Sequence, residues 1–161
     1  MIRKLLSADF NDLFCVINDA AQAYKGIIPA DRWKEPYMPA EELRVEIADG
    51  VEFYGLLENG ELIGVMGIQQ VREVTLIRHA YVLTNHQRSG IGAKLLKHLL
   101  TLPRTPDVLV GTWEAAWWAV QFYAKHGFKL TTRAETNRLL RKYWSIPELQ
   151  VETSVVLKLL R

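Results

Sequence analysis

Asn85-His86-Gln87-Arg88-Ser89-Gly90-Ile91-Gly92-Ala93-Lys94 is the stretch around which the chain is organised. An apolar, β-branched run precedes it (Val74, Leu76, Ile77, Tyr81, Val82), and leucines at helical spacing follow it (Leu95, Leu96, Leu99, Leu100). A strand, a tight basic glycine turn and a helix start make an anion cradle. The first N–H groups of a helix have no intrahelical acceptor, and the helix dipole favours negative charge beside them. Gly90 and Gly92 let the backbone turn and approach a phosphate with no Cβ in the way. Arg88 can add a charge-assisted contact.

Two nucleotide-binding patterns fail against this stretch. A dinucleotide fingerprint needs a third glycine, and the register set by Gly90 and Gly92 puts Leu95 there. A hydrolase phosphate loop needs Gly-Lys-Ser/Thr, a tripeptide the chain lacks. What remains, Gln87-Arg88-Ser89-Gly90-Ile91-Gly92, resembles the Gln/Arg-x-x-Gly-x-Gly/Ala motif of the GNAT superfamily of acyl-CoA N-acyltransferases. Tyr81-Val82 before it and Phe122-Tyr123-Ala124-Lys125-His126-Gly127-Phe128 after it resemble the same family at the expected spacing.

At 161 residues the chain reads as one domain, residues 1–161, long enough to bury about two-thirds of its unfolded surface. An apolar fraction of 49% with 24% charged residues is ordinary for a globular protein. A net charge of +2 argues for neither nucleic acid nor a membrane surface as partner. Polar Ser7 and Asp9 interrupt the first residues, which therefore do not read as a signal peptide. Cys15 stands alone, so no internal disulfide is expected, and the expected compartment is the reducing cytoplasm. Cys15 lies beside the apolar stripe of the first helix, where a buried, inert thiol is expected.

Taken in order, Ile2 to Leu6 reads as a strand. Ala8 to Tyr24 reads as an amphipathic helix through Phe10, Leu13, Phe14, Ile17, Ala21 and Tyr24. The proline-interrupted, aromatic segment from Tyr24 to Pro39 is a loop, and such loops often carry binding. Pro39 opens a second helix with Leu43 and Ile47 facing inward and Gly50 closing it. Asn59-Gly60 joins strands Val51–Leu57 and Glu61–Gln69 as a hairpin. Val74–Val82, the helix Ala93–Leu102 and Val108–Trp113 make a right-handed parallel crossover. A helix from Ala116 to His126 ends at Gly127. A strand around Lys129 to Ala134, a basic stretch from Arg138 to Trp144 and a last strand from Val151 to Leu159 complete the order. The fold class is α/β (α+β): a mixed, mostly antiparallel sheet with helices on both faces and one splayed parallel strand pair.

The resemblance implies acetyl-coenzyme A as co-substrate, with Gln87 among the residues that bind it and its pyrophosphate on the N–H groups of Arg88, Ser89, Gly90, Ile91, Gly92 and Ala93. The pantetheine arm would lie along Val82 and Leu83, and a backbone N–H near Val82 would face the thioester carbonyl. Tyr123 matches the family's tyrosine that protonates the departing thiolate; without the family it is a core aromatic beside Phe122. Ala116 stands where the family often has asparagine, which removes one side-chain contact to the arm. For the proton lost by the amine, His79 is a candidate base with a pKa near 6.5, or else a satisfied structural histidine. Glu73 and Glu114 are alternatives, acting directly or through water. No metal is expected, since His79, His86, His98 and His126 form no ligand pair on one helix face.

Trp33, Tyr37, Tyr143 and Trp144, from the early loop and a late hairpin, would enclose a flat or cationic amine, with Trp33, Tyr37 and Trp144 as the chosen substrate-binding residues. Asp31 and Glu35 would pair with an ammonium. Arg138, Arg141 and Lys142 would hold an acidic acceptor or coenzyme A's 3′-phosphate, or form a solvated face. The expected function is a cytoplasmic N-acetyltransferase acting on a primary amine of a small molecule by direct attack. The alternatives are a protein N-terminal or lysine acetyltransferase and a non-catalytic acyl-CoA sensor. Oligomeric state is not fixed by the sequence, and a homodimer is compatible with it.

Overall fold

Period-two apolar runs and one asparagine–glycine turn build the centre of the molecule. In the computed structural model, which describes residues 1–161, β2 (Glu52–Glu58) and β3 (Glu61–Val71) pair antiparallel through that turn. Asn59 and Gly60 have φ of 53° and 79°, the left-handed pair such a turn requires. β1 (Ile2–Lys4) pairs with β2, and β4 (Val74–Val82) returns antiparallel to β3. β5 (Asp107–Trp113) lies parallel to β4, and β7 (Ser154–Leu159) stands between β5 and β6 (Phe128–Leu130). The sheet order is β1-β2-β3-β4-β5-β7-β6.

Alternating side chains send the sheet's two faces into different cores. Ile77, Val108, Val110, Val155 and Leu157 pack with α3 (Ile91–Leu99) and with Tyr123 of α4 (Trp117–Lys125). Leu76, Leu109 and Val156 point the other way, onto α5 (Arg133–Tyr143) and α6 (Glu148–Glu152). On that second face α1 (Phe10–Ala20) and α2 (Ala40–Ala48) cover Phe53, Leu62 and Val65. The mixed sheet with helices on both faces is therefore present, and no helix is long and apolar enough to cross a membrane.

Five expectations change. The strand expected around Lys129 to Ala134 pairs only over Phe128–Leu130. Thr132 then caps a helix, its hydroxyl accepting from the Glu135 N–H at 3.2 Å. Thr132-Arg133-Ala134-Glu135 is a helix-start signature that the basic residues after it obscure. The basic stretch and Tyr143 thus lie on α5, and no late hairpin forms. Val151 and Glu152 belong to α6, and the last strand starts at Ser154. Ile47 points to solvent, because α2 sits at the rim of its core and buries only Leu43. Cys15 is exposed, since the buried stripe of α1 runs through Leu13, Val16 and Ile17 instead.

Candidate active site

β4 and β5 pair only from Val74–Asp107 to Ile77–Val110. Beyond that point β5 follows β7 as far as Trp113, while β4 stays with β3 to Val82, and the two parallel strands part. The parting begins at a β-bulge. Val65 faces Tyr81 and Gly67 faces Arg78, so Met66 alone opposes both His79 and Ala80. His79 has φ of 53°, a left-handed conformation that costs a non-glycine residue free energy and often marks a functional position.

Past the bulge the backbone of Val82 is turned toward the gap. Leu83 donates its N–H to Ile63 O at 2.9 Å across the β3 side. By the alternation of an antiparallel ladder, the N–H and C=O of Val82 face the opposite edge. The carbonyl accepts from Gln87 Nε2 at 3.2 Å; the N–H is left without a backbone acceptor.

The next turn is pinned to the body before it meets α3. Asp19 of α1 accepts from the Thr84 N–H at 2.8 Å and from Thr84 Oγ1 at 3.0 Å. Ser89 Oγ donates to His86 O at 2.5 Å. Arg88 and Gly90 both adopt positive φ, 67° and 78°, and Gly90 caps α3. The N–H groups of Ile91, Gly92 and Ala93 point out of the helix start with no backbone acceptor. Gly92 faces α4, where an added Cβ would stand 3.5 Å from the Phe122 ring. This nest of free donors beside an arginine is the chemistry a pyrophosphate needs, so the residues fit coenzyme A.

A cleft of about 140 Å³ opens in the gap, lined from β4 by His79, Ala80 and Tyr81 and from α4 by Tyr123. Tyr123 is buried between Phe122 and Phe128, ring centroids 5.1 and 5.6 Å away. Burial raises its hydroxyl pKa above the ordinary tyrosine range, so the proton stays on. Tyr37 and Trp144 also line the cleft. Tyr37 is fixed by the Trp113 Nε1–H, which donates to its hydroxyl at 2.8 Å. Its loop is tied down by Asn18, which bonds both the N–H and the C=O of Met38 at 2.8 and 3.0 Å.

Trp33 does not line the cleft. It stacks behind Tyr37 at 5.9 Å and donates to Glu35. Tyr143 does not line the cleft and is bonded to Glu73 in the turn between β3 and β4. Asp31 and Glu35 lie outside the cleft, and Glu35 pairs with Lys25 at 3.1 Å. Arg138, Arg141 and Lys142 pair with Glu135, Glu148 and Glu73 on an exposed face. Glu73 and Glu114 line no part of the cleft.

Sequence reasoning missed the partners of His79. Its Nε2 lies 3.4 Å from Glu46 Oε2 without completing a hydrogen bond. Burial lowers the His79 pKa more than Glu46 restores it, so the ring is uncharged at neutral pH. Burial pushes the Glu46 carboxyl up, but His79 and Arg78 outweigh it and hold the group below the usual carboxylate range. Arg78 reaches Glu46 at 3.0 Å and Gln69 Oε1 at 3.0 Å. Nothing in the local sequence around Glu46 pointed to this cluster, which joins α2 to the β4 bulge.

A splayed strand pair, a cradle of helix N–H groups and a buried tyrosine between them define an acyl-CoA-dependent N-acyltransferase. The sequence matches the family model of the acetyltransferase (GNAT) domain over residues 18–140, and the chain belongs to that family. No curated protein sequence matches it. Among solved structures, the chain is similar to the PaiA N-acetyltransferase of Thermoplasma acidophilum in complex with coenzyme A. That likeness has 19% identity and a TM-score of 0.73, and covers 100% of this chain and 98% of that one. A GNAT-family acetyltransferase of Staphylococcus aureus Mu50 gives 17% and 0.72, covering 99% of each chain. The ribosomal-protein-S18-alanine N-acetyltransferase of Escherichia coli gives 16% and 0.70, covering 99% and 92%. At these identities the likeness is one of fold.

Proposed function

We propose that this chain transfers an acetyl group from acetyl-coenzyme A to the primary amine of a small molecule. The observation that carries the proposal is the position of the parted strands: a free N–H at Val82 on one side, the α3 cradle at its end and Tyr123 across the gap. Arg88, Ser89, Gly90, Ile91, Gly92 and Ala93 would hold the pyrophosphate, with Gln87 bracing Val82 O and the Val82–Leu83 backbone flanking the arm. Bound there, acetyl-coenzyme A supplies an activated thioester. The Val82 N–H is a fixed donor for the oxygen that gains charge when nitrogen attacks, and needs no reorganisation to act. Tyr123, kept protonated by burial, gives its proton to the departing sulfur. His79, uncharged and lining the same cleft, takes the proton that the nitrogen sheds.

The small-molecule acceptor rests on cleft size: about 140 Å³, comparable to an apolar cavity that holds a single benzene ring. The fold leaves the acceptor open, since a similar structure acts on the alanine of a ribosomal protein. A thiol-release screen with acetyl-coenzyme A across small amines, amino acids and peptides tests this. Release with small amines is expected. Release with peptides alone would move the function to a protein acceptor, and tight coenzyme A binding with no release would make the chain a sensor.

A further inference from the structure

An ammonium ion entering the cleft would find no anion there. No aspartate or glutamate lines it. The titratable groups facing it are Tyr24 and Tyr37 from the early segment, Arg78, His79 and Tyr81 from β4, and Tyr123 from α4. β5, α5, the segment that follows it and α6 contribute only uncharged residues, among them Thr112, Trp144 and Gln150. From α2, Glu46 stands behind Arg78 and His79. Arg78 reaches both of its carboxylate oxygens, at 3.0 and 3.3 Å, and His79 is beside it.

An aromatic wall can attract a cation through its π face, but at a site without an anion this recovers only a small part of the solvation an ammonium gives up on burial. A free amine loses far less on entering. Resting on the acetyltransferase reading above, we propose that the acceptor binds as its free base, and that the chain therefore selects small, weakly basic amines carrying one flat or branched apolar group. The step balances in that form. Neutral nitrogen attacks the carbonyl carbon, a C–N bond forms and the C–S bond breaks. One proton leaves nitrogen and one joins sulfur.

The selection has a size. At pH 7 an α-amino group with a pKa near 7.9 is about one-tenth free base, whereas a lysine-like amine near 10.4 is free in about one molecule in 2,500. That is a handicap of about 300-fold for the more basic amine before any contact differs.

Phenylalaninamide and 2-phenylethylamine carry the same ring on amines of different basicity, and spermidine carries several basic amines and no ring. Their kcat/KM values with acetyl-coenzyme A should be measured from pH 7 to 9, a window above His79, whose pKa burial lowers, and below the tyrosines, which burial raises. Phenylalaninamide should lead 2-phenylethylamine by at least 30-fold at pH 7, the gap should narrow as pH rises, and spermidine should trail both. Calorimetric binding of 2-phenylethylamine to the protein with coenzyme A should tighten about tenfold per pH unit.

Gln150→Glu, which places a carboxylate in the cleft at nearly unchanged shape, should shift the preference at least tenfold toward 2-phenylethylamine. Equal kcat/KM values at pH 7, a lead for spermidine, a pH-independent affinity, or no binding of either aromatic amine would overturn the proposal. A lead for spermidine would do so while leaving the acetyltransferase reading intact. Tight, pH-dependent amine binding with no thiol release from any acceptor would do the reverse.

Discussion

Gly64 of β3 lies so close beneath Ile91 that a Cβ on it would stand 2.6 Å from Ile91 Cγ2, and 3.2 Å from Leu95 Cδ1. Gly64 also pairs with Val82 in the sheet. One glycine therefore sets the first turn of α3 against the strand whose N–H faces the gap. Gly64→Ala should push the helix outward, costing about 1–3 kcal/mol of stability, as overpacking of a buried site does. It should also weaken coenzyme A binding several-fold. Urea unfolding and coenzyme A titration of the variant check both, and unchanged affinity with lowered stability would uncouple the contact from the cradle.

Gly90 poses the opposite problem. An added Cβ would meet nothing within 4 Å, so the cost of Gly90→Ala lies in its φ of 78° alone. Holding alanine in the left-handed region costs about 1–2 kcal/mol. Because the turn is exposed, it should relax locally, leaving the urea midpoint nearly unchanged while coenzyme A binding falls about tenfold. A fall in global stability matching that of Gly64→Ala would contradict this.

The order of elements up to Phe128 was readable because each rests on a local signal. Asn59-Gly60 dictates its turn, and the Gly90–Gly92 pair followed by leucines dictates a helix start. The glycine turn that opens α3 was readable for the same reason, whereas Tyr123 was singled out only by the family resemblance. What escaped depends on contacts between distant segments. The bulge at His79 arises where β3 and β4 count residues unequally, and no pattern within β4 announces it. Glu46 meets Arg78 and His79 only after α2 folds over the sheet. Aromatic content suggested a binding enclosure but could not sort its members: Tyr37 and Trp144 face the cleft, whereas Trp33 stacks behind Tyr37 and Tyr143 turns to Glu73. The α5 helix was missed because Thr132 and Glu135 cap a sequence whose charges hide its apolar stripe of Leu139, Leu140 and Tyr143.

Tyr123→Phe keeps the ring and its packing and removes only the hydroxyl, for which no protein partner is present. Stability and coenzyme A affinity should stay within a few tenths of a kcal/mol and about twofold. kcat should fall at least tenfold, toward the low end of what a general acid supplies, because a thiol near pKa 8.5 already leaves well. Steady-state kinetics with any acceptor decides it; an undiminished kcat would remove Tyr123 from the chemistry.

His79 and Glu46 make the fold sensitive to acid. Burial depresses the His79 pKa below its unfolded value near 6.5, so between the two values the unfolded chain holds the extra proton. Its contribution is complete above pH 6.5 and is lost as pH falls through the folded value. Glu46, also depressed overall, adds its loss below about pH 4.3. His79→Asn suits the left-handed backbone and does not titrate. Urea midpoints measured from pH 8 to 5 should decline in the wild type and stay flatter in the variant over the upper half of that fall. Parallel curves would show that His79 protonation does not govern the acid limb.

Trp144 closes one side of the cleft by lying on the backbone of β5, its Cζ2 3.1 Å from where a Cβ on Gly111 would stand. The indole can rest there only because residue 111 has no side chain. Trp144→Ala removes that wall and the apolar surface it offers an acceptor, a loss of about 1.5–3 kcal/mol if the ring is covered on binding. This corresponds to a rise in acceptor KM of at least tenfold. The α3 cradle draws on the loop after β4 rather than on α5, so the KM for acetyl-coenzyme A should hold within about twofold. Gly111→Ala displaces the ring by a few tenths of an ångström and should raise acceptor KM by a smaller factor in the same direction. Equal rises in both KM values for Trp144→Ala would mean that the indole supports the whole sheet edge rather than the acceptor.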